Sequence, residues 1–375
     1  MLTTVSAFVG VVAAVKLLPG NPVVGQVEPP KRAQGVLLPA ANVTSTDFRG
    51  AVKVILPSVV SIDTIVEGTN YFNERVQRKA QSGSGVVTSE DGYIVTNAHV
   101  VLIDTFGGEK RPADGVNVTL SDGRVVGAKI VGYDTRSDLA VLKVEAKNLD
   151  PIEMGDSSTL EVGQWVVAVG NPLGYENTVS VGVVSSINRP LPMGDRAVFI
   201  DGIQTDAAIN MGNSGGALCN AEGQLVGINT AIASIGGGNI GLAFAIPVKR
   251  MATVVDDIIK KGRPVYGTLG VRVYQPYSMI RDARTRKQLV ELTKSPSEPP
   301  QNGIIVDEVD PSGGAGNAGL KSLDVVTEMD GKPINSIEDF LIVISPKRPG
   351  DKVELTIWSK GKVRKATATL QEAGQ

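Results

Sequence analysis

The stretch "YIVTNAHVV", residues 93–101, carries His99, which is the only histidine in the 375 residues of the chain. The apolar residues before it predict a short strand, and His99 follows where that strand ends. A lone histidine more often has a structural, hydrogen-bonded role than a catalytic one. The imidazole becomes informative if a nucleophile and a carboxylate flank it, because it can then act as a general base near neutral pH.

A candidate nucleophile stands in the glycine-rich stretch "GNSGG", residues 212–216, with Ser214 at its centre. A turn of this composition lets consecutive backbone N–H groups point into one small space. Such donors stabilise a tetrahedral oxyanion by about 3 kcal/mol each. A serine in an ordinary glycine-rich loop has the same sequence, so this motif alone does not establish catalysis.

The carboxylate partner of the imidazole should be buried in another turn of the same domain, and four aspartates are candidates: Asp122, Asp134, Asp138 and Asp156. Asp138 is favoured because it begins the apolar strand pattern "LAVLKV", where desolvation would hold it near a partner. Asp134 lies in a more polar turn, and either aspartate could instead be a turn or capping residue. The order His99, Asp138, Ser214 is that of the double-barrel serine proteases. The three motifs together favour catalysis.

Composition excludes several other classes of function. Hydrophobic residues make up 42% and charged residues 20% of the chain, which is typical of a soluble globular protein. The net charge of −2 provides no basic field to hold nucleic acid. A single cysteine, Cys219, together with the single histidine excludes an intrachain disulfide and a Cys/His metal site. We therefore expect no metal and no other cofactor.

Short β-branched patterns follow one another from Ala51 to Pro247, and most are bounded by Gly, Asp or Asn. The segments "EDGY", "SDGR" and "AEGQ" predict hairpin turns between them. Many short strands without alternating helices favour a sandwich or barrels. Apolar residues at helical spacing then predict a helix over 248–262, followed by a compact α/β module of about 110 residues, a usual size for one domain.

The N-terminal segment differs from the rest of the chain. Residues 2–18 are apolar or small except for Lys16, a length at the lower edge of what spans a bilayer. No basic region precedes this segment and "VAAVK" is a poor cleavage site, so an uncleaved anchor or export signal is expected over 1–18. A shortened or misassigned start is the alternative. Residues 19–47 are rich in Pro, Ala and Gly and predict a linker.

The motifs "TNAHVV", "SDLAVLKV" and "GNSGGAL", with "SVGVVSSINR", "IQTDAAIN" and "GLAFAIP", resemble those of the HtrA (Deg) family of serine endopeptidases. The resemblance implies a mainly β fold. It places a chymotrypsin-like domain with a double six-stranded β-barrel over 48–262, followed by a small α/β PDZ domain over 264–372.

The resemblance also implies a role for each matching residue. The catalytic residues are His99 as general base, Asp138 as its orienting partner and Ser214 as nucleophile. The oxyanion hole is formed by the N–H groups of Gly212 and Ser214, with Asn213 between them. The remaining matches are the substrate-pocket residues Ile209, Ala231 and Ile232, and the PDZ peptide-binding residues Thr268, Leu269, Gly270 and Val271.

Two departures from the family pattern concern the PDZ domain. Leu323 replaces the glycine that usually precedes the aspartate of a "GDV" turn, and the segment 275–302 is longer than expected. Both affect the expected ligand preference rather than the fold. The single PDZ domain, a short loop between the first strands and the apolar N-terminus resemble the membrane-tethered, regulatory branch of the family.

The resemblance implies an ATP-independent endopeptidase that cleaves unfolded or misfolded proteins after small aliphatic residues. C-terminal peptides bound at the PDZ domain would regulate it, in protein quality control or stress signalling on the periplasmic side of the cell envelope. The family implies a homotrimer, to which Tyr71 and Phe72 could contribute. The alternative is a peptide-binding, chaperone-like module with a resting, largely inactive protease domain.

Overall fold

The computed structural model describes residues 47–69, 74–105, 108–171, 177–193, 197–210, 212–232, 241–273 and 280–373. The predicted anchor over 1–18, almost all of the predicted linker, and Tyr71 and Phe72 lie outside these residues. Two closed six-stranded barrels and a smaller sheet account for most of the structure. The mainly β fold class is confirmed. No helix in the described part of the chain has the length and apolar character needed to cross a membrane.

The first barrel closes in the order β1-β2-β3-β8-β7-β6. Its elements and those around them are α1 (Arg49–Ile55), β1 (Val59–Thr69), β2 (Arg75–Val87), β3 (Tyr93–Thr96), α2 (Ala98–Val101), β4 (Leu102–Asp104), β5 (Lys110–Pro112), β6 (Gly115–Thr119), β7 (Val125–Asp134) and β8 (Leu139–Val144). The helix α1 was not predicted from the sequence. Two of the predicted turns, "EDGY" and "SDGR", join β2 to β3 and β6 to β7, as expected.

The second barrel closes in the order β10-β11-β14-β13-β12-β9. Its elements are β9 (Trp165–Gly170), β10 (Thr178–Met193), β11 (Ala197–Thr205), β12 (Ala217–Cys219), β13 (Leu225–Ile232) and β14 (Ala243–Pro247), and α3 (Val248–Lys261) follows. The "AEGQ" turn joins β12 to β13. The predicted helix is confirmed as α3, which ends at Gly262 in the left-handed conformation with φ of 73°.

One apolar cluster joins the two barrels. It contains Leu139 and Val141 of the first barrel, Val169 and Ile246 of the second, and Ile258 of α3, all completely buried. Each barrel also has its own apolar interior. Because the barrels share a core, loops that reach their junction from either side are held in a fixed relation to one another.

The C-terminal domain is built around a sheet in the order β16-β17-β18-β20-β21, with β19 paired to β18. Its elements are β15 (Gly267–Thr268), β16 (Val271–Val273), α4 (Ala283–Thr293), β17 (Ile304–Val309), α5 (Gly314–Asn317), β18 (Val325–Met329), β19 (Lys332–Pro333), α6 (Ile337–Ile344), β20 (Lys352–Ser359), β21 (Lys362–Thr369) and β22 (Gln371–Glu372). The strand β16 lies at the edge of this sheet. Leu323 has a φ of 69°, which is the left-handed conformation that favours glycine.

Candidate active site

His99 and Asp138 meet at one end of the first barrel. His99 lies on α2, immediately after β3, and Asp138 ends the turn between β7 and β8. The Nδ1 atom of His99 lies 2.7 Å from Oδ2 of Asp138, and the backbone N–H of His99 donates to Oδ1 at 3.0 Å. A carboxylate at Nδ1 favours the tautomer with the proton on that nitrogen, which leaves Nε2 free to accept a proton.

Exposure differs sharply between these two side chains. The Asp138 side chain is 6% exposed, whereas that of His99 is 41% exposed. The backbone carbonyl of Asp138 accepts hydrogen bonds from the N–H of Ala98 and from Nδ2 of Asn97. The carboxylate is therefore held in a dry, fixed position while the imidazole remains accessible to a substrate.

Thr230 on β13 of the second barrel contacts this pair. Its hydroxyl donates to Oδ2 of Asp138 at 2.7 Å, so three donors satisfy the buried carboxylate. Its carbonyl oxygen accepts a hydrogen bond from Oγ of Ser214 at 3.1 Å. Among the described residues, Ser214 Oγ donates to this carbonyl and makes no hydrogen bond to His99. Catalytic hydrogen bonds are often long or misaligned without substrate, so this geometry is compatible with a resting triad.

Ser214 stands in the turn between β11 and β12, at the junction of the barrels. The adjacent Gly215 has a φ of 84°, and a Cβ atom there would lie 2.2 Å from the carbonyl oxygen of Ser84 and 2.3 Å from Oγ1 of Thr96. No larger residue fits at this position without displacing the first barrel. Glycine at position 215 of "GNSGG" therefore allows the two barrels to approach closely, in addition to forming the turn.

Backbone donors remain available in the same turn. The N–H groups of Asn213, Gly215 and Gly216 are bonded to carbonyl oxygens of the protein, Asn213 to Asn210 at 3.0 Å. The N–H groups of Gly212 and Ser214 have no acceptor among the residues that the structure describes. Of the three predicted oxyanion-hole residues, Gly212 and Ser214 can therefore donate to a substrate oxygen through the backbone, whereas Asn213 donates internally.

Ser84 on β2 fixes this turn from the first barrel. Its N–H donates to the carbonyl of Ser214 at 2.8 Å, and its hydroxyl donates to the carbonyl of Gly212 at 2.7 Å. The same hydroxyl accepts from the N–H of Asn171 at 2.7 Å. Ser84 is completely buried, and its hydroxyl and N–H link the turn of Ser214 to the neighbouring strand end.

Three other aspartates were candidates from the sequence, and none of them contacts His99 within the described structure. The Asp122 side chain is 50% exposed and pairs with Arg124. Asp156 accepts from the hydroxyl and N–H of Ser158, and these hydrogen bonds lower the pKa of its carboxyl. Asp134 is 4% exposed, so its side chain is buried although it lies at the start of a polar turn.

Asp134 is instead tied to the segment that leads into the C-terminal domain. It accepts hydrogen bonds from the hydroxyl of Tyr266 and from the N–H and hydroxyl of Ser137. Burial, followed by the negative charge of Asp134, raises the pKa of Tyr266 well above its usual range. The guanidinium of Arg136 lies 5.1 Å from the centre of the Tyr266 ring. The turn that carries Asp138 is thus anchored to the start of the C-terminal domain.

The predicted substrate-pocket residues are only partly described. Ile209 is 1% exposed and lies five residues before Ser214 in the chain. Ala231 and Ile232 continue β13 directly after Thr230, and Ile232 pairs with Ala243 of β14. The side chains of Ala231 and Ile232 lie outside the described part of the structure.

The predicted peptide-binding residues lie at the start of the C-terminal sheet. A cavity of about 830 Å³ is lined by Thr268, Gly270 and Val271 and by the end of β17. Leu269 is 2% exposed, and its carbonyl accepts from the N–H of Ala315 at 2.8 Å. The Gly270 N–H donates to Oγ1 of Thr268 at 3.2 Å. Val271 begins β16, the edge strand of this sheet, whose partner within the described structure is β17.

Sequence reasoning missed two residues of this site, Ser84 and Thr230. Each is a buried polar residue inside an apolar strand pattern, in "GSGVV" and "GINTAI". A buried hydroxyl requires a hydrogen-bond partner, so these positions did carry a signal. The identity of the partner depends on the pairing of the two barrels, which no local pattern specifies.

Two domain families match this chain. Residues 83–228 match the trypsin-like peptidase domain, and residues 267–370 match the PDZ domain. A probable periplasmic serine endoprotease, DegP-like, from Halomonas elongata is 42% identical over 357 residues, covering 86% of this chain and 70% of that protein. The serine protease PepD of Mycobacterium tuberculosis is 37% identical over 351 residues, covering 90% of this chain and 69% of that protein.

Solved structures of serine endoproteases are also similar to this chain. The HtrA-type protease AlgW with a decapeptide superimposes with a TM-score of 0.68 at 32% identity, covering 88% of this chain and 99% of that chain. The serine endoprotease from Yersinia pestis superimposes with a TM-score of 0.61 at 30% identity, covering 88% of this chain and all of that one.

Proposed function

This chain belongs to the HtrA-type family of serine endoproteases, hydrolases of internal peptide bonds, and we propose that it cleaves unfolded or misfolded proteins after small aliphatic residues without ATP. The observation that carries the proposal is the His99–Asp138 pair at 2.7 Å, with Ser214 joined to the same carboxylate through Thr230. The proposed boundaries are 48–262 for the protease domain and 264–372 for the PDZ domain. The family matches over 83–228 and 267–370 support them.

The proposed mechanism begins with rotation of the Ser214 hydroxyl from the Thr230 carbonyl toward His99. Nε2 of His99 takes the hydroxyl proton as Oγ attacks the carbonyl carbon, and Asp138 stabilises the imidazolium. The N–H groups of Gly212 and Ser214 donate to the oxyanion. His99 then returns the proton to the leaving amine as the C–N bond breaks, which leaves an acyl group on Ser214. A water molecule activated by His99 hydrolyses this ester.

The proposed specificity rests on Ile209, Ala231 and Ile232. Their side chains carry no charge, so a pocket built from them offers no partner for Arg or Lys before the scissile bond. Small aliphatic residues are mostly buried in native proteins, so the substrates should be unfolded or locally opened segments. We assign the protein to quality control or stress signalling on this basis.

Regulation by peptides at the PDZ domain is the second part of the proposal. The edge strand β16, which has one partner strand among the described residues, and the cavity beside Thr268, Gly270 and Val271 suit an extended peptide that adds a strand and presents its C-terminal carboxylate. The decapeptide in the AlgW structure supports a peptide ligand. Because Tyr266 donates to Asp134, movement of the PDZ domain can reach the turn that holds Asp138. The resting, chaperone-like alternative corresponds in this proposal to the unstimulated state.

The proposed location is the periplasmic side of the cell envelope, which the word "periplasmic" in the name of the Halomonas relative supports. We retain residues 1–18 as the proposed membrane anchor. A homotrimer is proposed from the family resemblance. Its formation is supported by an exposed apolar surface in which Trp165 is 43% and Val162 is 64% exposed, next to Phe48.

The central experiment is cleavage of reduced casein by the wild-type protein and by Ser214→Ala, with and without a hydrophobic C-terminal peptide. We expect cleavage that the peptide stimulates, and its loss in Ser214→Ala by on the order of 10⁶. Labelling by a fluorophosphonate probe separates an activated serine from an idle one. Cleavage by Ser214→Ala within tenfold of the wild type would refute the assignment of the nucleophile.

A further inference from the structure

A cavity of about 460 Å³ lies between the second barrel and the C-terminal domain. Ile187 and Ile203 of the barrel and Val254 of α3 line one side of it. Ile342 of α6 and the segment 345–348 line the other. Its volume falls within the range of about 300–1,000 Å³ that is common for small-molecule sites, and such sites occur preferentially between domains. This interdomain cavity is separate from His99, Ser214 and the cavity beside β16.

Four aliphatic side chains, contributed by both domains, form an apolar part of the wall of the interdomain cavity. Ile203 and Val254 are buried at 2% and 4% exposure. Ile187 and Ile342, which face it from the two domains, are each 39% exposed. Partly exposed aliphatic side chains are removed from water when an aliphatic ligand packs against them, which favours binding. The walls therefore suit an aliphatic chain.

The charged residues of the interdomain cavity are mostly basic: Lys249, Arg250, Lys347 and Arg348, against Asp201 as the one acidic side chain of the described lining. Arg250 pairs with Asp201 at 2.7 Å. Lys347 and Arg348 pair with Asp330 and Asp257, which do not line the cavity. Among the described residues, no carboxylate lies within ion-pair distance of the Lys249 ammonium, and Asp156 interacts with it only weakly, over a longer distance. Since the other three cations are paired, a ligand with a single negative head group would complement the one remaining positive charge, that of Lys249.

We propose that the interdomain cavity binds an aliphatic chain that carries one anionic head group, with Lys249 as the partner of the head group. Residues of both domains line the cavity, so the ligand binds only when the two domains are arranged as in this structure. Binding therefore stabilises that arrangement by mass action. Tyr266, which also lines the cavity, holds Asp134 in this arrangement. This binding does not depend on peptidase activity.

The test is calorimetric titration of the full-length protein with decanoate and with decyl phosphate, using decyltrimethylammonium as the cationic probe of equal chain length. We expect one anion bound per chain, and at least tenfold weaker binding of the cation. The tighter of the two anions identifies the head group. Equal affinity for the cation, or no binding of either anion, would overturn the proposal.

Two variants locate the site. Lys249→Glu should weaken binding of the anion at least tenfold, whereas Lys260→Glu, on the same helix but outside the cavity, should bind like the wild type. Ile187→Trp should fill the space and abolish binding, and it lies on the barrel, away from the edge of β16. Thermal melting of each variant confirms that it folds. Wild-type affinity in either Lys249→Glu or Ile187→Trp would exclude this cavity as the site.

Discussion

The Thr230 hydroxyl donates to Oδ2 of Asp138 at 2.7 Å across the junction of the two barrels. The carbonyl oxygen of the same residue accepts the Ser214 hydroxyl at 3.1 Å. Thr230 thus orients the carboxylate that contacts His99, and it also accepts a hydrogen bond from Ser214, the proposed nucleophile. The side chain and the backbone of one residue serve two different steps of the proposed reaction.

Thr230→Val should lower kcat/KM for an unstructured peptide by about 10- to 100-fold, because a hydrogen bond to a charged group contributes about 1.5–3 kcal/mol. Valine matches the shape of threonine but leaves the buried carboxylate one donor short, so the free energy of unfolding should also fall by about 1–3 kcal/mol. Steady-state kinetics and urea melts measure the two effects. Thr230→Ser should restore most of the activity, and a fully active Thr230→Val would exclude this role.

The two buried aspartates of the 134–138 turn should behave differently. Asp138→Asn should lower kcat by about 10⁴, because an amide favours the wrong imidazole tautomer. Asp134→Asn should stay within tenfold of the wild type in kcat but lose about 1–3 kcal/mol of unfolding free energy, since it weakens buried hydrogen bonds to Ser137 and Tyr266. If Asp134→Asn lowered kcat more than Asp138→Asn, Asp134 rather than Asp138 would have the catalytic role.

Stability at alkaline pH should depend on Tyr266. Burial raises its pKa above the ordinary value of 10.0, so the unfolded chain loses this proton at lower pH than the folded protein does. The stabilising contribution is therefore fully present below the ordinary pKa and is lost as the pH rises above it. The unfolding free energy of the wild type should fall more steeply there than that of Tyr266→Phe, by up to about 1.4 kcal/mol per pH unit. Parallel curves in urea melts would contradict this linkage.

Ser84→Ala should impair catalysis without touching the triad. It removes the donor to the Gly212 carbonyl and the acceptor of the Asn171 N–H, so we expect a loss of about 1–3 kcal/mol in stability. The oxyanion donors should also shift, which lowers kcat more than it raises KM. Ser61→Ala is the matched control, because Ser61 is the buried cross-strand neighbour of Ser84. An equal effect of the two substitutions on kcat would show that Ser84 acts only through packing.

Sequence patterns predicted most of the barrel strands, the helix α3 and the order of His99, Asp138 and Ser214, because each has a local signal in periodicity, turn residues or a glycine motif. The strands β4, β5 and β11 were not predicted. The helix α1 was missed because β-branched residues such as Val52 and Val54 favour strand, whereas packing of Ala51 and Ile55 against the shared core stabilises the helix. The roles of Ser84 and Thr230 depend on contacts between barrels. Such contacts are specified by the whole fold rather than by a local pattern.

The proposed pocket determines which residue is accepted before the scissile bond. Ile209 is 1% exposed and uncharged, and together with Ala231 and Ile232 it is proposed to form the pocket before the scissile bond. One methylene more or less in such a pocket changes binding by about 1–3 kcal/mol, so selectivity should be moderate. We expect cuts in reduced casein mainly after Val, Ala, Ile and Thr, mapped by mass spectrometry. Ile209→Ala should enlarge the pocket and shift cleavage toward Leu and Met, while Ile203→Ala, in the same barrel core, should leave the pattern unchanged. A majority of cuts after Arg, Lys or large aromatic residues would show that these three residues do not form the pocket.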